Sequence, residues 1–256
     1  MSAHPVFRFL ARTTDYISSD FLGGPRVLKF AWVVNFQKGA TLFWVLFLMW
    51  AYQNFSVQAW VYLALHGTYG LCWLMKDAVF PDPNWQRRVT FGGALAAIVF
   101  VLGPYWVFPW ILISGFPGGD YQGADIPWLA LAIAVHTLGL ALMLTADAQK
   151  YFTLRYRRGL ITDGMFRYIR HPNYLGEMMI YGAYAIVVWH WIPWAILAFI
   201  WLALFTTNMK MKEASMARYE EWADYRARTG MLLPKLLPRR GERGEGREHR
   251  EEQPEP

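Results

Sequence analysis

The sequence predicts an all-α fold, a polytopic membrane bundle of about six transmembrane helices followed by a cytoplasmic C-terminal helix. Two observations support this prediction. Of the 256 residues, 55% are hydrophobic and 18% are aromatic, and the mean hydropathy is positive at +0.16. The hydrophobic residues are also concentrated in segments of about 17–25 residues, the length of helix that crosses a bilayer.

Six apolar segments are separated by short polar or charged connections. The first covers residues 39–55, although the apolar stretch RVLKFAWVV also allows a start at Val27. The remaining five segments follow at intervals that leave little room for a soluble domain between them. They are residues 57–75, 91–114, 127–146, 173–189 and 192–207.

The charges in the connecting loops predict the orientation of the bundle. With six crossings, one side receives both termini and the loops 76–90 and 147–172. Every Lys and Arg falls on that side or at its boundary, whereas the other side carries Asp120 and Asp125. Because cytoplasmic loops are enriched in Lys and Arg, both termini are predicted to be cytoplasmic. Membrane orientation thus explains the net charge of +6 without a nucleic-acid partner.

Composition divides the chain into four regions. Residues 1–26 are predicted to be a cytoplasmic or interfacial segment with an amphipathic helix, and they contain no cleavable signal peptide. Residues 27–126 form an N-terminal transmembrane half, and residues 127–238 form a C-terminal half. The end of that half, residues 208–238, is predicted to contain the cytoplasmic helix, which ends near Gly230. Residues 239–256 carry mixed charges and no apolar residues, and are predicted to be disordered.

The sequence lacks several known motifs, and their absence narrows the range of possible functions. The chain has no G-x-G-x-x-G fingerprint, no P-loop and no G-x-S-x-G elbow. Cys72 is the only cysteine, so an intrachain disulfide is excluded and no Cys/His metal site is predicted. A cofactor is therefore expected to bind between the membrane helices and at their cytoplasmic ends. No protein partner is predicted; membrane lipids surround the bundle.

The stretch RYIRHPNYLGE is the strongest candidate for a functional site. Its proline suits the first turn of a helix, so the fifth span is predicted to begin near His171. Asn173 and Glu177 are then four residues apart and share one helix face. A charge at the centre of a membrane helix costs about 2.5–3.5 kcal/mol. Glu177 therefore indicates either a functional site or a structural pair, with His136 of the fourth span as the candidate partner.

A cluster of arginines precedes this helix. The N-terminus of a helix offers free N–H groups and the positive end of the helix dipole. A helix N-terminus beside a cluster of arginines predicts a site for a phosphorylated or carboxylated ligand. The alternative, that the arginines only anchor the topology, stays open at this point. The arginines are Arg155, Arg157, Arg158, Arg167 and Arg170.

The segment DAQKYFTLRYRRGLITDGMFRYIRHPNYLGE, residues 147–177, carries a recognisable set of motifs. The matching elements are Gln149–Lys150, Gly164 with Phe166, Arg170–Glu177 and, further on, Arg218–Pro234. These elements resemble the C-terminal signature of membrane sterol reductases and steroid 5α-reductases. An uncharacterised bacterial branch of 5α-reductase-like proteins is the most similar. The resemblance covers residues 130–238 and is weak before them.

The Arg-His-Pro-x-Tyr-x-Gly element also resembles isoprenylcysteine carboxyl methyltransferases, which are membrane enzymes that use S-adenosylmethionine. The segment KEASMARYEEW, residues 212–222, is similar to a Glu-rich helix of those enzymes. The pair Asn173 and Glu177 favours the reductases, because the methyltransferases more often lack this glutamate. A third hypothesis is a membrane protein without enzymatic activity that binds sterol.

The reductase resemblance implies reduction of a C=C bond in a lipophilic steroid, sterol or enone-like substrate, with NADPH as the cofactor. Asn173 and Glu177 would hold the nicotinamide carboxamide or its ribose. Asp147 would bind a ribose or adenine-side group, and arginines would bind the phosphates. The implied cofactor-binding residues are Asp147, Lys150, Arg155, Arg158, Arg167, Arg170, His171, Asn173, Tyr174, Glu177, Arg218 and Tyr225.

The resemblance also implies an acid in the N-terminal half, where the 5α-reductases use a Gln-Glu pair and a tyrosine. The counterparts here are Gln37, His66 and Tyr69. Gln37 is followed by Lys38 rather than by glutamate, which is a departure from the family pattern. His66 and Tyr69 are three residues apart and therefore neighbours on one helix. Hydrogen bonds between helices are the alternative role for all three candidates.

Overall fold

The computed structural model describes residues 3–118 and 121–235, so the tail at residues 239–256 lies outside the described residues. The predicted all-α fold class is confirmed. The helices are α1 Pro5–Ser19, α2 Phe30–Tyr52, α3 Val57–Val79, α4 Phe91–Ala96, α5 Val107–Ser114, α6 Ile126–Tyr156, α7 Pro172–Val188, α8 Trp191–Ile200, α9 Thr206–Met216 and α10 Trp222–Arg228. Two short strands, β1 Leu28–Lys29 and β2 Arg88–Val89, pair antiparallel.

Within the described ranges, four helical stretches are long and apolar enough to cross a membrane, so the chain is a membrane protein. Helical turns join α4 to α5 and α8 to α9, so that each pair forms one continuous stretch. Helices α3 and α7 lie in the same bundle, but α3 carries Lys76 and Asp77 near its end and α7 is only 17 residues long. The count of six crossings therefore stays a prediction. The four stretches are Phe30–Tyr52, Phe91–Ser114, Ile126–Tyr156 and Trp191–Met216.

The helix starts match the sequence signals at some positions and not at others. Helix α7 begins at Pro172 with His171 as its N-cap residue, which confirms the predicted start. Helix α2 begins at Phe30, near the early alternative and well before residue 39. Lys38 therefore lies about 12 Å along the helix from its start, and it is buried. The prediction that every Lys and Arg lies on the basic side or at its boundary is therefore wrong for Lys38, and the early start of the first span is the better of the two alternatives.

The helix ends meet at two opposite ends of the bundle. At one end, the Asn54 side chain donates a hydrogen bond to the carbonyl of Ile113, and Gln58 donates to the carbonyl of Ala124. The strands β1 and β2 and the long connection between α6 and α7 lie at the other end. The second end carries the basic loops, and we call it the basic end.

The C-terminal region differs from the single helix predicted over residues 208–238. Helix α9 continues the span of α8 and ends at Met216, and a turn separates it from α10. This break lets Trp222 and Tyr225 become buried, and the Tyr225 hydroxyl donates to the carbonyl of Phe166 at 2.8 Å. The prediction of one continuous helix is wrong because tertiary contacts outweigh local helix propensity.

Helices α6 and α7 cross very closely at Gly139 and Gly176. A Cβ atom added to Gly176 would lie 2.6 Å from the Gly139 carbonyl oxygen and 2.6 Å from the Met143 backbone nitrogen. Small residues at such a crossing let two helix backbones approach each other. The glycine of the NYLGE motif therefore sets the distance between α6 and α7, and with it the position of Asp147 beside Asn173.

Candidate functional site

A cavity of about 530 Å³ opens at the basic end between α6, the start of α7 and the C-terminal segment. Its volume falls in the range of small-molecule and cofactor sites, about 300–1,000 Å³. Many of its lining residues are ones that the sequence singles out, and Lys212 is an additional cation. The lining includes Lys150, Arg158, Arg170, His171, Asn173, Lys212, Arg218 and Tyr225.

A second cavity of about 330 Å³ lies on the other side of Lys150. Asp147 and Arg155 line this smaller cavity. Lys150 forms an ion pair with Asp82 of the α3–α4 loop at 3.1 Å. Burial opposes the ionisation of Asp82, but Lys150 and the backbone N–H of Asn84 outweigh it and hold the pKa of Asp82 below its usual value. This loop therefore forms one wall of the site.

His171 stands at the mouth of the larger cavity, at the N-cap of α7. Its ring is buried, and burial lowers its pKa, which the nearby Glu213 carboxylate opposes only in part. The Nε2 atom of His171 lies 3.8 Å from Glu213 Oε1 and makes no hydrogen bond. An unpartnered polar atom in a buried position is unusual. The Nε2 atom of His171 therefore faces the Glu213 carboxylate at slightly more than hydrogen-bond distance.

A buried polar network joins three helices beneath the cavity. Lys76 of α3 forms an ion pair with Asp147 Oδ2 at 2.6 Å, and both side chains are less than a tenth exposed. The Nδ2 atom of Asn173 donates to Asp147 Oδ1 at 3.1 Å. Asp147, predicted as a ligand of the cofactor, is thus also the acceptor that fixes the orientation of the Asn173 amide. The oxygen of that amide is left to accept from a ligand.

Glu177 follows Asn173 on the same face of α7, about 6 Å further into the bundle. Its carboxylate is half-buried, and it forms neither an ion pair nor a hydrogen bond with the residues that the structure describes. The structural alternative, a pair with His136, is wrong, because His136 Nε2 lies 3.2 Å from the Tyr184 hydroxyl instead. Lys76, Lys38 and Lys212 are near enough to act on this carboxylate electrostatically without contacting it. A carboxylate inside a membrane bundle points to a functional role.

The arginines have different environments. Arg170 is buried; its Nε donates to Glu213 at 2.7 Å and its Nη1 donates to the carbonyl of Thr229 at 2.5 Å. Arg158 and Arg218 are exposed at the cavity rim, and within the described residues the Arg218 guanidinium donates to the neutral hydroxyl groups of Ser215 and Tyr219. The rim arginines are thus available to an anion, whereas the Arg-His-Pro arginine is occupied by the protein itself.

Three predicted ligands, Arg167, Tyr174 and Glu177, do not line either cavity. Arg167 is exposed and lies against the ring of Tyr168. Tyr174 packs edge-on against Phe205, and the Lys212 ammonium lies 4.6 Å from its ring centroid. Tyr174 therefore positions Lys212, a residue that sequence analysis did not single out.

The three candidates in the N-terminal half are buried, but they are not gathered around one point. Gln37 donates weakly to Thr41 at 3.4 Å, and its Oε1 atom has no partner. His66 stacks on the ring of Tyr184 with centroids 4.3 Å apart. The Tyr69 hydroxyl lies 3.3 Å from the Tyr181 hydroxyl. Of the three, Tyr69 alone is hydrogen-bonded to the face of α7 that carries Asn173 and Glu177.

Lys38 lies at the centre of a ring of aromatic side chains next to that face. Its ammonium contacts the Tyr181 hydroxyl and lies 4.7 Å from the Tyr69 ring centroid. From the sequence, Lys38 stands out only as a departure from the family pattern at the position after Gln37. A lysine within an apolar segment was the available signal, because charged residues inside membrane helices mark functional sites by default.

The fold and the cavities define a class: a helical membrane protein with a polar site that begins at the basic end and extends into the bundle. The chain belongs to the family described as "Protein of unknown function (DUF1295)", whose model matches residues 16–229. No curated protein matches the chain significantly. The function therefore has to be argued from the site.

Proposed function

We propose that this protein is an integral membrane oxidoreductase that uses NADPH to reduce a C=C bond of a lipophilic substrate, acting on the CH–CH group of donors. One observation carries the proposal: the basic cavity is lined by cations and reaches Asn173, and Glu177 follows Asn173 one turn deeper on the same face of α7. The resemblance of residues 170–177 to the membrane sterol and steroid 5α-reductases supports the same reaction.

The residues at the cavity fit NADPH. The cavity of about 530 Å³ is large enough for a cofactor, and it is lined by cations. The Asn173 amide is oriented by Asp147 so that its oxygen can accept from the nicotinamide carboxamide. Glu177 can accept a second hydrogen bond from the carboxamide or its ribose. NADPH supplies a hydride when it is bound.

The cations that line the cavity lie at two depths, so they would contact different parts of the cofactor. Arg158 and Arg218 at the rim can bind phosphate groups in a bidentate way. Lys150 and Lys212 lie deeper along the cavity and offer point charges. Arg170 supports this wall through Glu213 instead of reaching for a phosphate. The site thus separates anion binding at the surface from recognition of the nicotinamide inside.

The topology that follows has six crossings and places both termini in the cytoplasm. The helix ends alternate between two ends of the bundle, and the basic end contains the cavity mouth. Basic loops remain in the cytoplasm. NADPH would then enter from water, and the lipophilic substrate would enter from the bilayer.

Single-cysteine labelling checks this topology. In a Cys72→Ser background, Tyr156→Cys at the basic end is expected to resist a membrane-impermeant thiol reagent in intact cells. Gln122→Cys at the opposite end is expected to react. Both native side chains are exposed, so access through the protein does not limit the labelling. The reverse pattern would show the opposite orientation.

The binding of NADPH is the central prediction. NADPH is expected to raise the melting temperature of the detergent-purified protein, since a ligand at 100 times its Kd stabilises the native state by about 2.7 kcal/mol. Glu177→Gln and Asn173→Ala are each expected to remove most of this shift. Asp125→Asn serves as the matched control, because Asp125 precedes α6 at the opposite end of the bundle.

The same thermal-shift experiment separates the alternatives. A shift with S-adenosylmethionine and none with NADPH would replace the reductase with a methyltransferase of the isoprenylcysteine carboxyl methyltransferase type. A folded protein that responds to neither cofactor would favour a sterol-binding protein without enzymatic activity. A shift with NADPH that persists in Glu177→Gln would move the nicotinamide away from α7.

A further inference from the structure

Helix α1 exposes large apolar side chains although it is too short to cross a membrane. Its 15 residues extend about 22 Å, whereas the hydrocarbon core of a bilayer is about 30 Å thick. Val6, Phe9 and Tyr16 are each more than half exposed. They are separated by three and by seven residues, so they lie on one face of the helix. An exposed apolar face of this kind indicates an interaction surface.

Both ends of α1 are attached to the basic end of the bundle. The backbone N–H of Thr90, the N-cap residue of α4, donates to the Ser19 carbonyl at 2.8 Å. At the other end of α1, His4 and Lys210 of α9 line a common cavity of about 220 Å³. Helix α4 begins one of the four apolar stretches and α9 ends another. A helix that connects the same end of two spans lies across the bundle, approximately parallel to the membrane plane.

The two sides of α1 face different surroundings. The cavity of about 220 Å³ lies on the side that carries Phe7, and Trp222 and Arg226 of α10 also line it. Because α10 follows the last apolar stretch, this side of α1 faces the polar C-terminal segment. Phe9 comes two residues after Phe7 and is therefore rotated by about 200° around the helix axis. The exposed apolar face thus points away from the C-terminal segment and toward the bilayer.

The charges of α1 are positive once its ion pair is taken into account. Asp15 is the only acidic residue of α1, and it forms an ion pair with Arg87 of the α3–α4 loop. Arg8 and Arg12 are exposed and form no ion pair with the residues that the structure describes. Cationic side chains near a membrane surface are attracted by anionic lipids over a distance of about one Debye length. The charge of α1 therefore complements an anionic lipid surface.

We propose that α1 lies in the membrane interface at the basic end and binds anionic phospholipid there. Val6, Phe9 and Tyr16 enter the boundary between headgroups and acyl chains, where aromatic and apolar side chains of amphipathic helices are favoured. The long side chains of Arg8 and Arg12 extend from the helix to the lipid phosphates. The partner is a lipid surface rather than a soluble anion, because the apolar face and the two cations lie side by side.

The close packing of α1 on the bundle gives lipid binding a consequence for the whole protein. A Cβ atom added to Gly93 of α4 would lie 2.7 Å from the Ser19 carbonyl carbon, so α1 meets α4 with no space between them. Lipid that binds this arrangement binds the native state. Because a ligand of the native state alone stabilises it, anionic phospholipid is expected to raise the melting temperature of the protein.

The first experiment locates α1 relative to the bilayer in the full-length protein. Thr13 is exposed and lies between Phe9 and Tyr16 on the apolar face, so Thr13→Cys in a Cys72→Ser background can carry an environment-sensitive fluorophore there. The labelled protein is placed in nanodiscs of phosphatidylcholine and phosphatidylglycerol, with a nitroxide on the upper part of the acyl chains as the quencher. The label in Thr13→Cys is expected to be quenched.

Tyr156→Cys is the matched control for this label. Helix α6 has 31 residues and extends about 46 Å, so its last residue lies beyond the hydrocarbon core at the basic end. The label in Tyr156→Cys is therefore expected to escape the quencher.

The second experiment measures lipid selectivity by titrating dioleoylphosphatidylglycerol or dioleoylphosphatidylcholine into the detergent-purified protein and following the melting temperature. Arg8→Gln and Arg12→Gln are each expected to weaken the binding of phosphatidylglycerol about fivefold and to leave that of phosphatidylcholine unchanged. Their melting temperatures without lipid are expected to match the wild type, because both side chains are exposed. Arg157→Gln is the matched control, since Arg157 is an exposed arginine at the end of α6. It is expected to keep wild-type affinity.

A label in Thr13→Cys that escapes the quencher would overturn the proposal, as would wild-type affinity for phosphatidylglycerol in both Arg8→Gln and Arg12→Gln. Equal stabilisation by sn-glycerol 3-phosphate, which has a phosphate but no acyl chains, would show a site for a soluble anion instead. A dimer in sedimentation that Phe9→Ser converts to a monomer would assign the apolar face to a second copy of the chain. All these measurements are made without NADPH, so their outcome is independent of the proposed function.

Discussion

Gly176→Ala is expected to lower the melting temperature of the protein by about 5 °C, although alanine is the better helix former. The added methyl group would lie 2.6 Å from the Gly139 carbonyl oxygen and from the Met143 backbone nitrogen. These are backbone atoms, so no side-chain rotation can make room. Helices α6 and α7 would have to separate along their crossing.

The expected change in the melting temperature of Gly176→Ala is the net result of two opposing effects. Overpacking a tight contact costs about 1–3 kcal/mol, and a rigid backbone contact belongs at the upper end of that range. The higher helix propensity of alanine offsets about 1 kcal/mol of this cost. In a protein of this size, the remaining 2 kcal/mol or so corresponds to a few degrees in melting temperature. Differential scanning fluorimetry in detergent measures this change.

Gly182→Ala on the same helix is the matched control. A Cβ atom at Gly182 would meet only the far edge of Trp201, at 4.0 Å, so the substitution is expected to be neutral or stabilising. Separation of α6 from α7 would also pull Asp147 away from Asn173. NADPH binding should therefore weaken in Gly176→Ala and not in Gly182→Ala. Equal melting temperatures for the two variants would contradict the close crossing.

The part of the site on α7 could be predicted because it depends on local rules. A proline fixes the first turn of α7, and helix periodicity then places Asn173 and Glu177 on one face. Hydropathy located the apolar segments for the same reason. These local rules do not say which helices pack against α7. Lys76 and Lys212, which come from other helices, were therefore not predicted.

The start of α2 shows why Lys38 was misplaced. The polar residues Asn35, Gln37 and Lys38 interrupt the apolar pattern, so the predicted span began after them. In the structure two of them have partners on other helices: Asn35 donates to Asp77 of α3 at 2.7 Å, and Lys38 contacts Tyr181 of α7. Polar residues that pair between helices resemble a boundary when one segment is considered alone.

Arg170→Met is expected to have the largest effect on stability, a loss of about 3 kcal/mol, or roughly 10 °C in melting temperature. Arg170 and Glu213 are each 8% exposed in their side chains, and their ion pair spans 2.7 Å. Removing the guanidinium would leave Glu213 buried, with Lys210 at 3.4 Å and the His171 ring at 3.8 Å as its remaining basic neighbours among the described residues. It would also leave the Thr229 carbonyl without its charged donor.

The loss of stability in Arg170→Met should be largest in the C-terminal segment. The Arg170 backbone N–H donates to the Gly230 carbonyl at 3.0 Å, while its side chain holds Glu213 and Thr229. One residue thus joins the start of α7 to α9 and to the segment after α10. Limited proteolysis of Arg170→Met is expected to cleave residues 217–235 faster than in the wild type, because local opening exposes the segment before the bundle unfolds.

Arg167→Met is the matched control, since Arg167 is exposed three residues earlier and lies against Tyr168. It is expected to melt within about 1 °C of the wild type, as surface substitutions usually change stability by less than 0.5 kcal/mol. Arg170→Lys should fall between the two, because lysine keeps the charge but cannot reach Glu213 and Thr229 at once. Equal melting temperatures for Arg170→Met and Arg167→Met would show that the Arg-His-Pro arginine does not hold the C-terminal segment, and would make it available to bind a phosphate.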